Sequence, residues 1–309
     1  MRKYFFTTVV VILCVFLVYA IVEKEFTEKS IKGKNAETSL HIIHLPSKSD
    51  QPSLSVLIKH KGISILIDGG WDEDESKKEL IDYLKTQEIF RIDYIISTHA
   101  HADHTGGLAE VIRCFDIGKL FIRFTDVWSI GAPSILEVDV LAYENLLKTA
   151  NEKRNLDGTC IEIIEPNVEG YQINLDSETF LKTYNCTDLH GTYYQGQEVN
   201  HLSLMIHFVS NSASVFIGGD ATNLSDKYLI DNVGRVDVYS VQHHGAALPC
   251  SSSAELLAEI RPTYSVVSGP LWAVDAGTRA RCEKYGKFFV TGESGTIVFE
   301  KKNGSFIIV

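Results

Sequence analysis

The sequence predicts an α/β protein, because short apolar strands alternate with helical segments along the chain. The stretches HIIHL, LSVLIKH and ISILIDGG each have the length of a strand, and a Lys61-Gly62 turn joins the last two. A helix is predicted over about Ser76 to Gln87, where Leu80, Ile81 and Leu84 fall on one face. With 309 residues, 45% of them hydrophobic, the chain can bury a large core.

Further strands and helices follow in alternation. The strand IDYIIST is followed after a short loop by a predicted helix, GGLAEVIRCF. The stretch ILEVDVLAYENLLKTANEK predicts a longer helix, and CIEIIE and ETFLKTYN predict strands. We interpret EVNHLSLMIHFV as a strand, because Leu202, Leu204, Ile206 and Phe208 alternate along one face. SVFIGGDA and VDVYSV predict two more apolar strands.

The first 22 residues are a separate apolar segment. Arg2 and Lys3 precede an uncharged run from Tyr4 to Val22, close to the roughly 20 residues that span a bilayer. Val18-Tyr19-Ala20 also offers small residues suited to a signal peptidase, so a signal peptide or a membrane-anchoring helix is predicted. The basic start favours a cytoplasmic N-terminus with the remainder exported. We therefore expect an extracytoplasmic protein, anchored or secreted, with a polar linker over 23–39 and a folded domain over 40–309.

The charge of the chain disfavours nucleic-acid binding. The formal net charge is −11, which repels polyphosphate backbones unless a metal site or a local basic patch overrides it. A glycine-rich phosphate loop and the G-x-S-x-G motif of serine hydrolases are both absent from the sequence. We therefore expect a small-molecule or cell-envelope substrate.

Residues 97–107, STHAHADHTGG, hold three of the eleven histidines of the chain. In an extended segment, His99 and His101 point the same way and can bind one ion together. Asp103 and His104, where the chain enters the next helix, can face a second ion. Imidazole and carboxylate are good zinc ligands, and the two glycines let the backbone approach closely and turn sharply. The motif therefore predicts a site for two metal ions in a loop after a strand.

The pattern His-x-His-x-Asp-His resembles the signature of the metallo-β-lactamase superfamily, and the resemblance extends over most of residues 40–309. It implies an αββα sandwich, in which two sheets are stacked between helices and a dinuclear site lies along one edge. It also implies that Asp68, at the end of SILIDGG, supports the metal loop from behind. Asp220 of SVFIGGDA is expected to bridge the ions, although it could instead cap a helix at NLSDKYLIDN.

Two further ligands are less directly indicated. The stretch VYSVQHHGA delivers His243 or His244, and we favour His243, with His244 lining the cleft, because neighbours in a strand alternate faces. The family also expects a histidine at the start of the strand before Asp220, and His201 fits. His207, deeper in that strand, is expected to be structural or exposed.

A narrower resemblance is to the soluble hydrolase domain of bacterial DNA-uptake channel proteins. The stretches that show this resemblance are NHLSL, GGD, HHGAALPCSSSAELLAEIRP and the ending KYGKFFVTGESGTIVF. His201 replaces an asparagine of that group, and SVVSGPLWAVDAGTRARCEKYG lacks a histidine-bearing stretch found there. These departures put a DNA substrate in doubt. Secreted phosphorylcholine esterases of the same fold are another model.

Residues 125–200 form a variable insert in which substrate choice is expected to lie. Tyr193 and Tyr194, with Trp128 or Trp272, could form an aromatic wall for a flat or quaternary-ammonium group. Tyr194, His190 and the histidine of the 243/244 pair that does not bind metal are candidates for the leaving-group acid.

The resulting expectation is an exported hydrolase that uses a hydroxide between two ions on phosphodiester-type substrates. Asp103 is both a ligand and a catalytic residue in this interpretation. The expected ions are zinc, with Mn²⁺ or iron as alternatives. A hydrolase of β-lactams or of other esters and amides, and a binding protein with a decayed site, remain open.

Overall fold

Two β-sheets form the centre of the protein, in a computed structural model that describes residues 38–185 and 194–309. Within these ranges, the first sheet has the strand order β15-β14-β1-β2-β3-β4-β5-β6 and the second has the order β13-β12-β11-β10-β9-β8-β7. The strands are β1 (Ser39–Ile42), β2 (Val56–His60), β3 (Ile63–Ile67), β4 (Arg91–Ser97), β5 (Asp116–Ile122), β6 (Glu162–Ile164), β7 (Tyr171–Asn174), β8 (Thr179–Tyr184), β9 (Met205–Ser210), β10 (Ala213–Ile217), β11 (Val238–Ser240), β12 (Tyr264–Val267), β13 (Lys287–Val290), β14 (Ile297–Lys302) and β15 (Ser305–Ile308). The predicted N-terminal apolar helix and the linker up to residue 37 lie outside the described residues.

Helices of the described residues lie on the outer faces of the sheets or in the connections between strands. They are α1 (Asp74–Thr86), α2 (Ala102–Thr105), α3 (Leu108–Cys114), α4 (Val127–Ile130), α5 (Glu137–Glu152), α6 (Glu198–His201), α7 (Ala254–Ile260), α8 (Ala276–Glu283) and α9 (Thr291–Ser294). The apolar faces of α1, α3 and α5 join one core cluster with the first sheet, and α7 and α8 join another with the second sheet. The predicted αββα sandwich is therefore confirmed.

A third core cluster lies between the two sheets. Ile65 and Ile67 of β3 belong to this interior, whereas Leu66 belongs to the cluster beneath the helices. Because both faces of the strand are covered, β3 is apolar at every one of these positions instead of alternating with polar residues. The strong apolarity of ISILI in the sequence has this origin.

The carboxyl ends of the parallel strands bring the polar side chains to one edge. Strands β3, β4 and β5 run parallel in the first sheet, and β10, β11 and β12 run parallel in the second. Asp68 follows β3, His99 follows β4, Asp220 follows β10 and His243 follows β11. Contacts between these segments, described below, place them at a shared edge, which is where open sheets commonly hold ligands.

Two sequence-based assignments are wrong. Residues Glu198–His201 form a helical turn, and strand β9 begins only at Met205, so His201 does not start a strand. The alternative role of Asp220 as a helix cap is also wrong, because the 3₁₀ segment over Asn223–Tyr228 has Thr222 as its N-cap. Across residues 38–185 and 194–309, none of the helices combines the length and apolarity that crossing a membrane requires.

Candidate metal centre

The histidine loop is shaped by close packing of the backbone. His101 is extended, and α2 starts directly after it, so that His104 turns back towards the sheet. A Cβ atom on Gly106 or Gly107 would collide with the backbone at Asp72 or Gly69. Both glycines have helical φ values, −58° and −81°. They are needed for close approach, as predicted, but not for a left-handed turn.

The first group of ligand atoms contains His99, His101 and Asp220. The Nε2 atom of His99 lies 3.0 Å from Nδ1 of His101 and 4.0 Å from Oδ2 of Asp220. The second nitrogen of each ring is held by the protein. His101 Nε2 donates to the Ser134 carbonyl at 2.8 Å, and His99 Nδ1 lies 3.0 Å from the Ser203 hydroxyl. The two remaining nitrogens therefore converge on one point.

The second group contains Asp103, His104, Asp220 and His244. His104 Nε2 lies 3.1 Å from Oδ1 of Asp220 and 3.3 Å from Nε2 of His244. The same His244 nitrogen lies 3.3 Å from Oδ2 of Asp103. Asp220 thus takes part in both groups, with Oδ2 directed to His99 and Oδ1 to His104.

Buried acceptors hold the rings of the second group. His104 Nδ1 donates to Asp68 Oδ2 at 2.7 Å, and His244 Nδ1 donates to the Ser268 carbonyl at 2.7 Å. Asp68 also accepts from the Thr98 amide at 2.8 Å and from its hydroxyl at 2.7 Å. Asp68 therefore lies behind the loop, where the resemblance places it. In the neutral form of each ring the proton therefore lies on Nδ1, and Nε2 has the lone pair that a metal ion can bind.

The adjacent histidines do not alternate as strand residues would. His243 and His244 have φ values of 48° and 50°, so both lie in a left-handed turn beyond β11. His244 joins the second group, whereas His243 lies beside the groups, with Nε2 3.7 Å from Oδ2 of Asp220. Its Nδ1 donates to the Cys250 carbonyl at 2.8 Å. The geometry thus favours His244 as the ligand, whereas the sequence analysis favoured His243.

His201 lies outside both ligand groups. It is the last residue of α6, and its Nδ1 is 3.5 Å from the Thr222 hydroxyl. The side chain that reaches the cleft is that of Asn200, whose Nδ2 donates to His243 Nε2 at 3.3 Å. Among the described residues, the buried Oδ1 of Asn200 has no hydrogen-bond partner. Asn200 was missed, although the Asn-His pair in NHLSL was the available signal.

The other residues singled out in the sequence are not members of the ligand groups. Tyr194 donates its hydroxyl proton to Oδ1 of Asn223 at 3.0 Å. His207 is buried within β9, and burial, together with the charge of Lys182, lowers its pKa to about 4. His190 and Tyr193 lie outside the described residues.

The pKa values of the site follow from placing imidazoles among buried carboxylates. Burial lowers the pKa of His99 well below its usual range, and the charge of His104 lowers it further. Burial also opposes protonation of His104, but Asp220 and Asp103 outweigh it and raise that pKa well above the usual value. Burial would raise the pKa of Asp220, yet His104 and His244 hold it well below its usual range. Asp220 is therefore a carboxylate that requires positive charge beside it.

These side chains fit divalent metal ions. Oδ1 of Asp220 is buried without a hydrogen-bond donor among the described residues, although imidazole nitrogens surround it. The Nε2 atoms of His104 and His244 face each other at 3.3 Å while their Nδ1 atoms are occupied. Two such facing nitrogens repel when both rings are neutral, so positive charge, from a proton or from a metal ion, is needed between them. Imidazole nitrogens and carboxylate oxygens suit zinc and similar ions.

Comparison with known proteins agrees with the fold. Residues 49–269 match the family model of the metallo-beta-lactamase superfamily, so the chain belongs to that superfamily, whose members are generally metal-dependent hydrolases. The chain is 24% identical over 230 residues to Recombination protein 2 of Haemophilus influenzae, covering 71% of this chain and 23% of that protein. It is 33% identical over 87 residues to a UPF0173 metal-dependent hydrolase of Ignicoccus hospitalis, covering 25% of this chain and 36% of that protein. The chain therefore spans well under half the length of either relative.

Solved structures show the same fold at low sequence identity. The metallo-beta-lactamase fold protein YhfI from Bacillus subtilis has a TM-score of 0.55 at 12% identity, covering 86% of this chain and 100% of that chain. Zn(2+)-bound PqqB from Methylobacterium extorquens has a TM-score of 0.50 at 11% identity, covering 81% of this chain and 97% of that chain.

Proposed function

We propose that this protein is an exported hydrolase that binds two divalent metal ions and cleaves phosphodiester-type substrates. The observation that carries the proposal is the position of Asp220, which offers one carboxylate oxygen to each ligand group. His99 and His101 would hold the first ion, and Asp103, His104 and His244 would hold the second. When bound, the ions supply Lewis acidity, which activates water and stabilises charge on a phosphoryl group.

The protein side chains fix the orientation of this centre. The Ser134 and Ser268 carbonyls, the Ser203 hydroxyl and the Asp68 carboxylate each hold the outer nitrogen of one ligand ring. Such outer contacts fix the tautomer and the ring plane of a metal-binding histidine. The rings therefore need little rearrangement when an ion binds.

Asn200 and His243 lie beside Asp220, a member of both ligand groups. His243 Nε2 accepts from Asn200 and lies 3.7 Å from Asp220 Oδ2, so both polar groups border the reacting region. We propose that they orient an oxygen of the substrate. A phosphodiester is favoured because two ions held by these residues would supply positive charge to both the attacking and the leaving oxygen of an in-line displacement.

Zinc is the proposed metal, since the ligand atoms are imidazole nitrogens and carboxylate oxygens. The test measures bound metal by elemental analysis and hydrolysis of bis(p-nitrophenyl) phosphate, a phosphorylcholine ester, single-stranded DNA and a β-lactam. We expect close to two ions per chain and turnover of a phosphodiester. Asp220→Asn should lose bound metal and turnover. Asp176→Asn, which changes a carboxylate paired with His60, should keep the metal content and the turnover of the wild type. Wild-type protein without bound metal after zinc supplementation would overturn the proposal, and turnover of the β-lactam alone would overturn its substrate class.

Export is tested separately. The basic and apolar start of the sequence favours translocation of everything after Val22. A reporter fused to the C-terminus should be active outside the cytoplasm. Activity only in the cytoplasm would overturn this part of the proposal.

A further inference from the structure

Two of the three tryptophans are strongly exposed. The exposed fraction is 73% for Trp128 and 61% for Trp272. Large aromatic side chains usually bury most of their surface in a soluble protein, so such exposure indicates an interaction surface when neighbouring residues are also apolar.

Both tryptophans belong to segments that contact the metal centre. Trp128 is in α4, six residues before Ser134, whose carbonyl holds the ring of His101. Trp272 is in a short 3₁₀ segment that leads to Val274, and the Val274 side chain lies against Gly245, next to His244. The two indoles therefore lie on different connecting segments, one after β5 of the first sheet and the other after β12 of the second.

The polar atom of each indole is already satisfied by the protein. Trp128 Nε1 donates to Oε1 of Glu144 at 2.8 Å, and Trp272 Nε1 donates to Oδ2 of Asp50 at 3.1 Å. The surface that these rings present to the outside is therefore mainly hydrocarbon. We define the apolar rim as the two tryptophans and the exposed apolar side chains of the segments linked to them. Leu136, Val138 and Leu141 belong to the start of α5, the helix that contains Glu144, Leu271 is adjacent to Trp272, and Leu248 lies in the loop after His244.

We propose that the apolar rim inserts into the surface of a zwitterionic lipid bilayer, so that the metal centre acts on a phosphodiester held at that surface. The substrate class rests on the proposed function, whereas the membrane contact does not. Aromatic side chains are favoured at the boundary between lipid and water. The carboxylates of Glu144 and Asp50, which accept from the two indoles, and the net charge of −11 disfavour polyanions and anionic lipids.

The chain that precedes the described domain can reach such a bilayer. The apolar run from Tyr4 to Val22 has nearly the length of a membrane span. Pairing of Ile42 with Val56, and of Val56 with Ile67, places the end of β1 at the edge of the metal centre, so the chain enters at the opposite edge. Residues 23–37, if fully extended, reach about 50 Å. The strands between the two edges span only roughly 17 Å. The anchor and the rim can therefore contact one bilayer.

Fluorescence quenching tests the contact without relying on activity. The full chain is reconstituted in phosphatidylcholine vesicles with and without a dibrominated phosphatidylcholine, which quenches tryptophans that enter the bilayer. We expect strong quenching of the wild type and weak quenching of Trp128→Phe/Trp272→Phe, which retains only Trp71. As a matched control, Phe90→Trp in that double variant adds an exposed tryptophan at the opposite edge and should stay unquenched.

The other outcomes overturn the proposal. Equal emission of the wild type in both kinds of vesicle would show that the rim does not enter lipid, and quenching of the Phe90→Trp variant would show that the contact is not specific to the rim. Quenching by single-stranded DNA but not by vesicles would assign the rim to nucleic acid.

A second comparison addresses the substrate class. The double variant should lose about tenfold more turnover on a vesicle-borne lipid phosphodiester than on soluble bis(p-nitrophenyl) phosphate, because the lost aromatic surface acts only at the bilayer. Equal losses on both substrates would overturn the proposed lipid substrate. If neither substrate is cleaved by the wild type, the proposed function fails, while the quenching result still decides the membrane contact.

Discussion

Asp68→Asn is expected to weaken the second metal site without disturbing the first. Asp68 is fully buried, and its Oδ2 accepts from His104 Nδ1 at 2.7 Å. Asparagine tolerates the left-handed conformation of this position, where φ is 58°. Its amide oxygen can still accept from the Thr98 amide, but its NH₂ group would then face His104. His104 would have to move its proton to Nε2, the atom that faces Asp220 and His244.

The size of the effect follows from this tautomer change. Loss of an outer partner of a ligating histidine typically costs 10–100-fold in metal affinity, about 1.4–2.8 kcal/mol. The effect on the free energy of unfolding should be smaller than for removal of an ordinary ion pair. Burial raises the pKa of Asp68, so the wild-type carboxylate is itself costly to bury, and the neutral amide avoids that cost.

The assay is a competition titration of the metal-free protein with a chromophoric chelator. Wild type should show two tight ions, and Asp68→Asn should show one ion that is unchanged and one that is 10–100-fold weaker. Asp176→Asn is the matched control, because Asp176 contacts His60 at 2.9 Å at the opposite edge of the sandwich. If Asp68→Asn binds both ions as tightly as wild type, Asp68 does not orient His104 for metal binding.

Three further outcomes are expected. His244→Ala should lose one ion, whereas His201→Ala should keep both, and equal metal contents in elemental analysis would contradict the ligand groups described here. The pKa of His207 is lowered to about 4, so its contribution to the free energy of unfolding should be complete above pH 6.5. That free energy should fall by about 3 kcal/mol as the pH drops towards 4, and urea titrations of His207→Leu should show a smaller fall. Chelation should abolish hydrolysis and lower Tm, and zinc should restore both, since an ion that binds only the folded state stabilises it by about 4 kcal/mol at 1,000 times its Kd; an unchanged Tm would argue against tight binding.

The fold could be predicted from the sequence because its elements follow local patterns. The helix predicted over Ser76 to Gln87 is Asp74–Thr86, and the long helix of the insert is Glu137–Glu152. Both have one apolar face that packs on a sheet, and that periodicity is visible in the chain itself. The prediction for the stretch before Met205 is wrong because there the local pattern and the backbone conformation disagree. Alternating Leu202 and Leu204 satisfy a strand pattern, yet backbone bonds from His201 to Gln197 and from Leu202 to Val199 close a helical turn.

The sequence by itself determined the class of the protein and the centre of its site. The ligands in HAHADH lie within six residues, so their proximity is a property of the local chain. Only the tertiary structure decided which distant side chains complete the site. His244 joins the ligand groups because the turn after β11 is left-handed, and that turn is supported by Gln242, which donates to Asp226 at 3.2 Å from a distant segment. Asn200, rather than His201, faces the cleft because one helical turn rotates the chain. Such choices depend on backbone conformations set by long-range contacts, which no local pattern of residues contains.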